Sequence, residues 1–229
     1  LQLKAVYEGG AYKTGAVTGK GKFEYEPPFR IDCRAAMSKR ASGFWCSVWT
    51  VTSGSQYSEI DIMEAGDSYK DADFSSKVQY NCHTPYTLNT PSSTYDFWRP
   101  GQDQLQKGTS DLDEPTGYHI YSIEVTDDAL VWYLDGVQVH KYANIRHTTS
   151  DKGYRYAVDE MENSSGKTIY PKANYLRNYP FMESRYFAIF DIAVGGSFVS
   201  GENDRDKVPA AEGFEAQFDI DWISISKIK

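Results

Sequence analysis

The stretch Ser58-Glu-Ile-Asp-Ile-Met-Glu64 sets three acids, Glu59, Asp61 and Glu64, among apolar residues. Alternation of this kind predicts a β-strand with one greasy face and one acidic face, because successive side chains point to opposite sides. Glu59 and Asp61 share a face, and Glu64 is one residue out of phase. A β-bulge at Ile62-Met63 would absorb the extra residue and return Glu64 to the acidic side, a device common beside active sites. The strand is then buried on one face and lined by three carboxylates on the other.

Crowding acids on a strand costs stability through like-charge repulsion, so the pattern calls for a purpose. A solvated acidic edge strand is one reading, and a calcium site is another, since carboxylate oxygens suit a hard cation. A third is a pair of carboxylates flanking a glycosidic bond, one ionised as nucleophile and one protonated as acid.

The rest of the chain has the texture of an antiparallel sandwich. Short alternating runs at Arg30 to Ala36, Lys77 to Tyr80, His119 to Val125, Ala129 to Leu134 and Gln217 to Ile225 are separated by Gly, Pro, Asn, Asp and Ser. Asp127-Asp128 and Asp135-Gly136 read as hairpin turns, because these residues tolerate the positive φ that tight turns demand. No long helix is predicted. Residues 140 to 179 read as a loop-rich segment walling one side of a cleft. With 229 residues and no linker or repeat, one all-β domain spanning 1–229 is expected, and it can bury roughly 70% of its unfolded surface.

Net charge narrows the partners. Thirty-two acids against 24 bases give −8, with no basic run to track a nucleic acid, so a neutral or lightly sulfated polymer fits better than a polyanion. Aromatics are 15% of the chain, with 18 tyrosines; such rings suit both strands and the stacking of sugars. No apolar run approaches a membrane span, and Leu1 to Tyr7 alternates like a strand rather than a leader. Cys33, Cys46 and Cys82 lack metal-site spacing; buried hydrophobes are the default reading, with a Cys33–Cys46 disulfide as the alternative.

The acid segment resembles the active-site strand of glycoside hydrolase family 16 in its bulged form, Glu-x-Asp-x-x-Glu. Matching segments follow in order: Phe29 to Arg34, Gly43-Phe-Trp-Cys-Ser-Val-Trp49, Tyr118 to Glu124, Val131-Trp-Tyr-Leu-Asp-Gly136, Asn178-Tyr-Pro-Phe181, Ile192-Ala-Val-Gly-Gly196 and Phe218 to Ile225. The resemblance implies a β-jelly-roll sandwich of two curved antiparallel sheets with a substrate cleft on the concave face. It also implies further strands ahead of the segment Leu1 to Tyr25. By the same resemblance Glu59 is the nucleophile, Glu64 the acid/base kept protonated by its neighbours, and Asp61 the residue that steadies Glu59. Their carboxyls would be about 5 to 6 Å apart, as in retaining enzymes.

Trp45 and Trp49, four apart on one face of the preceding strand, match sugar-stacking tryptophans, and His83 resembles a cleft histidine. Arg34 matches a family position or pairs an acid in its sheet; Trp98 and Arg99 are candidates for an outer subsite. No cofactor is required for this chemistry, and a structural calcium away from the cleft is compatible with the loops although no EF-type spacing occurs. The short connection from Trp49 to Glu59 is like that of agar-, porphyran- or carrageenan-type galactanases, whereas Gly43 to Trp45 and Ala193 to Gly196 look like the laminarin-cleaving branch. The balance leans to a β-galactan, with endo-β-1,3(4)-glucan as the alternative. A non-catalytic sugar-binding module is the rival class, and retention of all three acids argues against it. A monomer is expected, and a polymeric substrate favours a protein that is secreted, periplasmic or at the cell surface.

Overall fold

The structure, a computed structural model, describes residues 1–54, 57–69, 72–83, 108–146, 155–159, 161–162, 168–169, 175–176, 179–200 and 213–229. The strands in chain order are β1 (Gln2–Glu8), β2 (Ala11–Lys13), β3 (Gly15–Thr18), β4 (Phe29–Lys39), β5 (Phe44–Thr52), β6 (Glu59–Gly66), β7 (Ser68–Tyr69), β8 (Ala72–Asp73), β9 (Lys77–His83) and β10 (Gly108–Asp111). After them come β11 (His119–Val125), β12 (Ala129–Leu134), β13 (Val137–Arg146), β14 (Arg155–Asp159), β15 (Met161–Glu162), β16 (Thr168–Ile169), β17 (Tyr175–Leu176), β18 (Tyr186–Val194) and β19 (Glu215–Lys227).

Among the described residues two large antiparallel sheets carry the fold. The larger runs β17-β14-β13-β12-β11-β4-β19-β1-β2 and the smaller β10-β9-β6-β5-β18-β3. This is the expected jelly-roll sandwich. Each alternating run read from the sequence lies in a strand, and the turn at Asp135-Gly136 has φ of 50° and 81°, the two positive values a tight hairpin needs.

The inner faces of the sheets meet in one apolar core. Phe29, Ile31, Cys33, Ala35 and Met37 of β4 and Tyr121, Ile123 and Val125 of β11 come from the larger sheet. Cys46 and Val48 of β5, Ile60 to Met63 of β6 apart from Asp61, and Val78, Tyr80 and Cys82 of β9 come from the smaller. Cys33 and Cys46 therefore belong to different sheets, and all three cysteines are buried free thiols. The disulfide reading is set aside. Within residues 140 to 179 the described ones place β13, β14 and β17 side by side at one edge of the larger sheet, where a loop is expected; the rest of that stretch lies outside the described residues.

The expected bulge is present. Against β9, Asp61 pairs Asn81 and Glu64 pairs Gln79, so Ile62 and Met63 together oppose the single residue Tyr80. Both Ile62 and Met63 are fully buried, which turns the bulge inward and leaves Glu64 on the outer face. A bulge loosens the backbone ladder, and buried carbonyls need partners. Trp132 of β12, itself wholly buried in the opposite sheet, donates its indole N–H to the Asp61 carbonyl at 2.8 Å. Trp132→Phe should therefore fold but unfold more easily in urea, by about 1–3 kcal/mol, because the carbonyl loses its donor. An unchanged midpoint would show that this bond contributes nothing.

Candidate active site

Strand pairing arranges the outer face of the smaller sheet in three rows. The first crosses Asp191, Ser47, Glu64 and Gln79; the second Ile189, Trp49, Asp61 and Asn81; the third Phe187, Val51, Glu59 and His83. The rows exist because β5, β18 and β9 keep period-two alternation across from β6, whose bulge restores the phase of Glu64. All three acids of the motif thus share one surface. Asp61 is buried, while Glu59 and Glu64 are partly exposed.

Hydrogen bonds hold the acids. Gln79 donates from Nε2 to Glu64 Oε2 at 2.7 Å. His83 Nε2 lies 3.1 Å from Asp61 Oδ2 and 3.8 Å from Glu59 Oε1. Tyr57 donates a hydrogen bond from its hydroxyl to Glu59 Oε2. Tyr57 reaches that far because the connection between β5 and β6 is closed tightly, with Thr52 N–H donating to Ser58 O and Ser58 N–H donating to Thr52 Oγ1, both at 3.0 Å.

Charge is unevenly distributed. Burial, then the charge of Asp61, pushes the Glu59 carboxyl up to about 7, with His83 and the Tyr57 hydroxyl pulling the other way and Asp191 adding a smaller push. Burial opposes charge on His83, but the hydrogen bond to Asp61 and the charges of Asp61, Glu59 and Glu64 outweigh it, and the imidazole is held above its usual range. Glu59, read from the sequence as the ionised partner, has a raised proton affinity in the free site.

The two tryptophans are positioned differently. Trp49 donates its indole N–H to Asp191 Oδ1 at 2.7 Å, and Ser47 Oγ donates to the same oxygen at 2.6 Å. Trp45 stacks on Phe198 with centroids 4.9 Å apart and planes 13° from parallel, and donates to Gly195 O at 3.0 Å. Phe198, Phe74 and Val199 form a small apolar cluster there, so one ring face of Trp45 is covered by protein. Arg34 is on the far side of the molecule: it belongs to the larger sheet, pairs Asp221 at 2.5 Å and sits over the Tyr118 ring. It takes no part in the acid rows. Trp98 and Arg99 lie outside the described residues.

Sequence reasoning missed Tyr57, Ser47, Gln79 and Asp191. Three of them had a signal, for Gln79 alternates with Val78 and Tyr80, Ser47 lies between Trp45 and Trp49, and Asp191 is an acid between Phe190 and Ile192. Tyr57 had none. Among the described residues Glu59, Asp61 and His83 are a group whose ligand atoms lie within 4.8 Å of one another.

Two antiparallel sheets with carboxylates aligned across the outer face of the smaller one are, in architecture and site, a jelly roll of the carbohydrate-active kind. The family described as Glycosyl hydrolases family 16 matches residues 3–166, and the chain belongs to it. It is similar to a glucan endo-1,3-beta-glucosidase A1 of Niallia circulans, 25% identical over 222 residues, which are 94% of this chain and 26% of that protein. A beta-glucanase of Rhodothermus marinus is 25% identical over 228 residues, 96% of this chain and 64% of that one. The chain thus spans less than two thirds of either relative. Among solved structures, a family 16 protein of the Bacteroides ovatus mixed-linkage glucan locus, in complex with a G4G4G3G product, superposes with a TM-score of 0.65 at 20% identity, covering 98% of this chain and 80% of that one.

The raised affinity of Glu59 has a stability cost with a definite sign. A carboxyl whose folded value lies above its ordinary 4.5 contributes stability that is fully present below about 4.5 and lost as pH rises through about 7. Glu59→Gln should therefore be more stable than the parent at pH 8, by about 3 kcal/mol, and no more stable at pH 4. Urea unfolding at the two pH values measures the difference, and equal gains at both would contradict the assignment.

Proposed function

We propose that the chain is a retaining, endo-acting glycoside hydrolase that cuts internal β-1,3-linkages of a β-glucan. The observation that carries this is the return of Glu64 by the bulge to the surface of Glu59 and Asp61, since a retaining mechanism needs two closely spaced carboxyls that flank the scissile bond. Glu59 attacks the anomeric carbon, and Glu64 protonates the departing oxygen and later takes a proton from water. Asp61, buried on the same face and 3.1 Å from His83, raises the proton affinity of Glu59 by its charge. The open outer face of a sheet binds chain interiors, which favours oligomeric products.

The choice of glucan corrects the leaning toward a galactan. That leaning came from the short connection before Glu59, and the structure offers another reason for its length, the delivery of Tyr57 to Glu59. Both curated relatives carry glucanase names, and the similar solved structure is described with a mixed-linkage glucan product. These agree with the Gly43 to Trp45 and Ala193 to Gly196 segments. Export of the protein is proposed on the same ground, a polymer too large to enter the cell. No metal or cofactor is proposed for the reaction.

Glu59→Gln and Glu64→Gln should each lower turnover of laminarin roughly 10²–10⁴-fold with folding retained, and Asp61→Asn should cost less. Near-normal hydrolysis by either Gln variant would overturn the roles. In a panel of laminarin, mixed-linkage glucan, agar, porphyran and carrageenan, the glucans should release oligosaccharides whose newly formed ends are β at early times. Release from a galactan alone would restore the other substrate class, and α ends would overturn the retaining geometry.

The pH profile follows from Glu59. Attack needs its ionised form, so kcat/KM should climb as pH passes through about 7 and fall again when the array loses the proton that the leaving group requires. Tyr57→Phe removes a bond that stabilises the Glu59 carboxylate, and should move the acidic limb to higher pH. An acidic limb at ordinary glutamate values would contradict this account.

A further inference from the structure

Asp191 lies outside the acid motif, on β18, the neighbour of β5 in the smaller sheet. It sits on β18 between buried Phe190 and Ile192, and its side chain points to the outer face with Ser47 and Trp49. One oxygen, Oδ1, accepts both the Ser47 hydroxyl at 2.6 Å and the Trp49 indole N–H at 2.7 Å. Both donors come from β5, the strand that separates β18 from the acids of β6. Trp49 is the direct cross-strand partner of Asp61, and Ser47 that of Glu64.

We propose that Asp191 is a positioning residue of this site: it fixes the plane of Trp49 beside the acid rows and adds a negative charge on the β18 side of Asp61. The inference rests on the glycosidase reading above for its functional meaning, but its geometry does not. An indole with one N–H can rotate about two side-chain bonds; a 2.7 Å acceptor removes that freedom before any sugar arrives, which lowers the entropic cost of stacking. The carboxylate suits this better than a neutral acceptor because charge-assisted bonds are shorter and stronger. Its charge is felt in turn: burial, and at longer range Asp61, hold the Asp191 carboxyl above its usual range. Asp61 on its own strand, His83 from β9 and Tyr57 from the β5–β6 connection act on Glu59 directly, and the charge of Asp191 from β18 acts on it more weakly from two rows away.

Two variants separate orientation from charge. Asp191→Asn keeps an oxygen that accepts both bonds and removes the charge, whereas Asp191→Leu removes both. Nitrogen-labelled indole NMR of the whole chain needs no substrate: the Trp49 N–H should resist solvent exchange in the parent and in Asp191→Asn, and exchange freely in Asp191→Leu. Carboxyl NMR should show Glu59 titrating at lower pH in Asp191→Asn than in the parent, a readout that a purely structural role would not move. Affinity for laminarihexaose, by calorimetry, should stay within about twofold for Asn and weaken about tenfold for Leu. Should Asp191→Leu fail to fold, Trp49→Phe, which keeps a ring and loses the donor, should show the same weakening.

The proposal is overturned by an unprotected Trp49 indole in the parent, by equal protection and affinity in Asp191→Leu, or by an unmoved Glu59 titration in Asp191→Asn. A chain that passes the NMR tests but cleaves no β-glycan would refute the proposed activity and leave the placement of Trp49 standing.

Discussion

One bond across the sandwich, from the Trp132 indole to the carbonyl of Asp61, ties the position of the acids to the apolar core. The bulge that follows Asp61 is what lets an eight-residue strand show three acids on one side and bury Ile60, Ile62 and Met63 on the other. Left to itself, an irregular stretch of backbone between two sheets would hold a carbonyl without a donor, at a cost that favours other registers. Trp132 supplies that donor from a rigid, fully buried platform. The acids are therefore located by packing against the opposite sheet, and the outer face is free to be polar.

That division of labour explains why the surface can concentrate charge. Glu59, Asp61, Glu64 and Asp191 are mutually unfavourable, and a strand held only by local propensity would relax by slipping or twisting. Here the inner faces of β5, β6 and β9 are committed to the core, so slippage would bury carboxylates. Repulsion is instead absorbed chemically, by proton affinity at Glu59 and by donors from Gln79, Ser47, Trp49 and Tyr57. A site that stores its tension as displaced titration is already part-way to exchanging protons.

Much of this was legible in the sequence, and for specific reasons. The bulge followed from counting, because Glu64 is an odd number of residues from Asp61 and apolar residues fill both gaps. The hairpin at Asp135-Gly136 followed from turn chemistry, and the sandwich from regular alternation. What escaped was information held between distant segments. Nothing in the run Phe190-Asp-Ile192 says that Asp191 lies across β5 from the acids, and nothing local says that Tyr57 reaches Glu59. Of the two readings of Arg34, the structure bears out the pairing with an acid of its own sheet, Asp221 on β19. Cys33 and Cys46 lie on β4 and β5, neighbours in the chain; strands consecutive in sequence often pair, but this pair divides between the layers.

The three buried thiols make the fold a self-reporting object. Cys33 lies in the larger sheet, Cys46 in the middle of the smaller one, and Cys82 on β9 directly behind Asn81 and His83. An electrophile reaches each sulfur only when its own piece of the sandwich opens, and burial holds all three thiols well above their ordinary range, which slows reaction further while they are closed. Labelling under native conditions thus times three separate openings without adding a probe. Cys82 times the one beneath the acids, so it reads how often the floor of the cleft comes apart in a protein at rest.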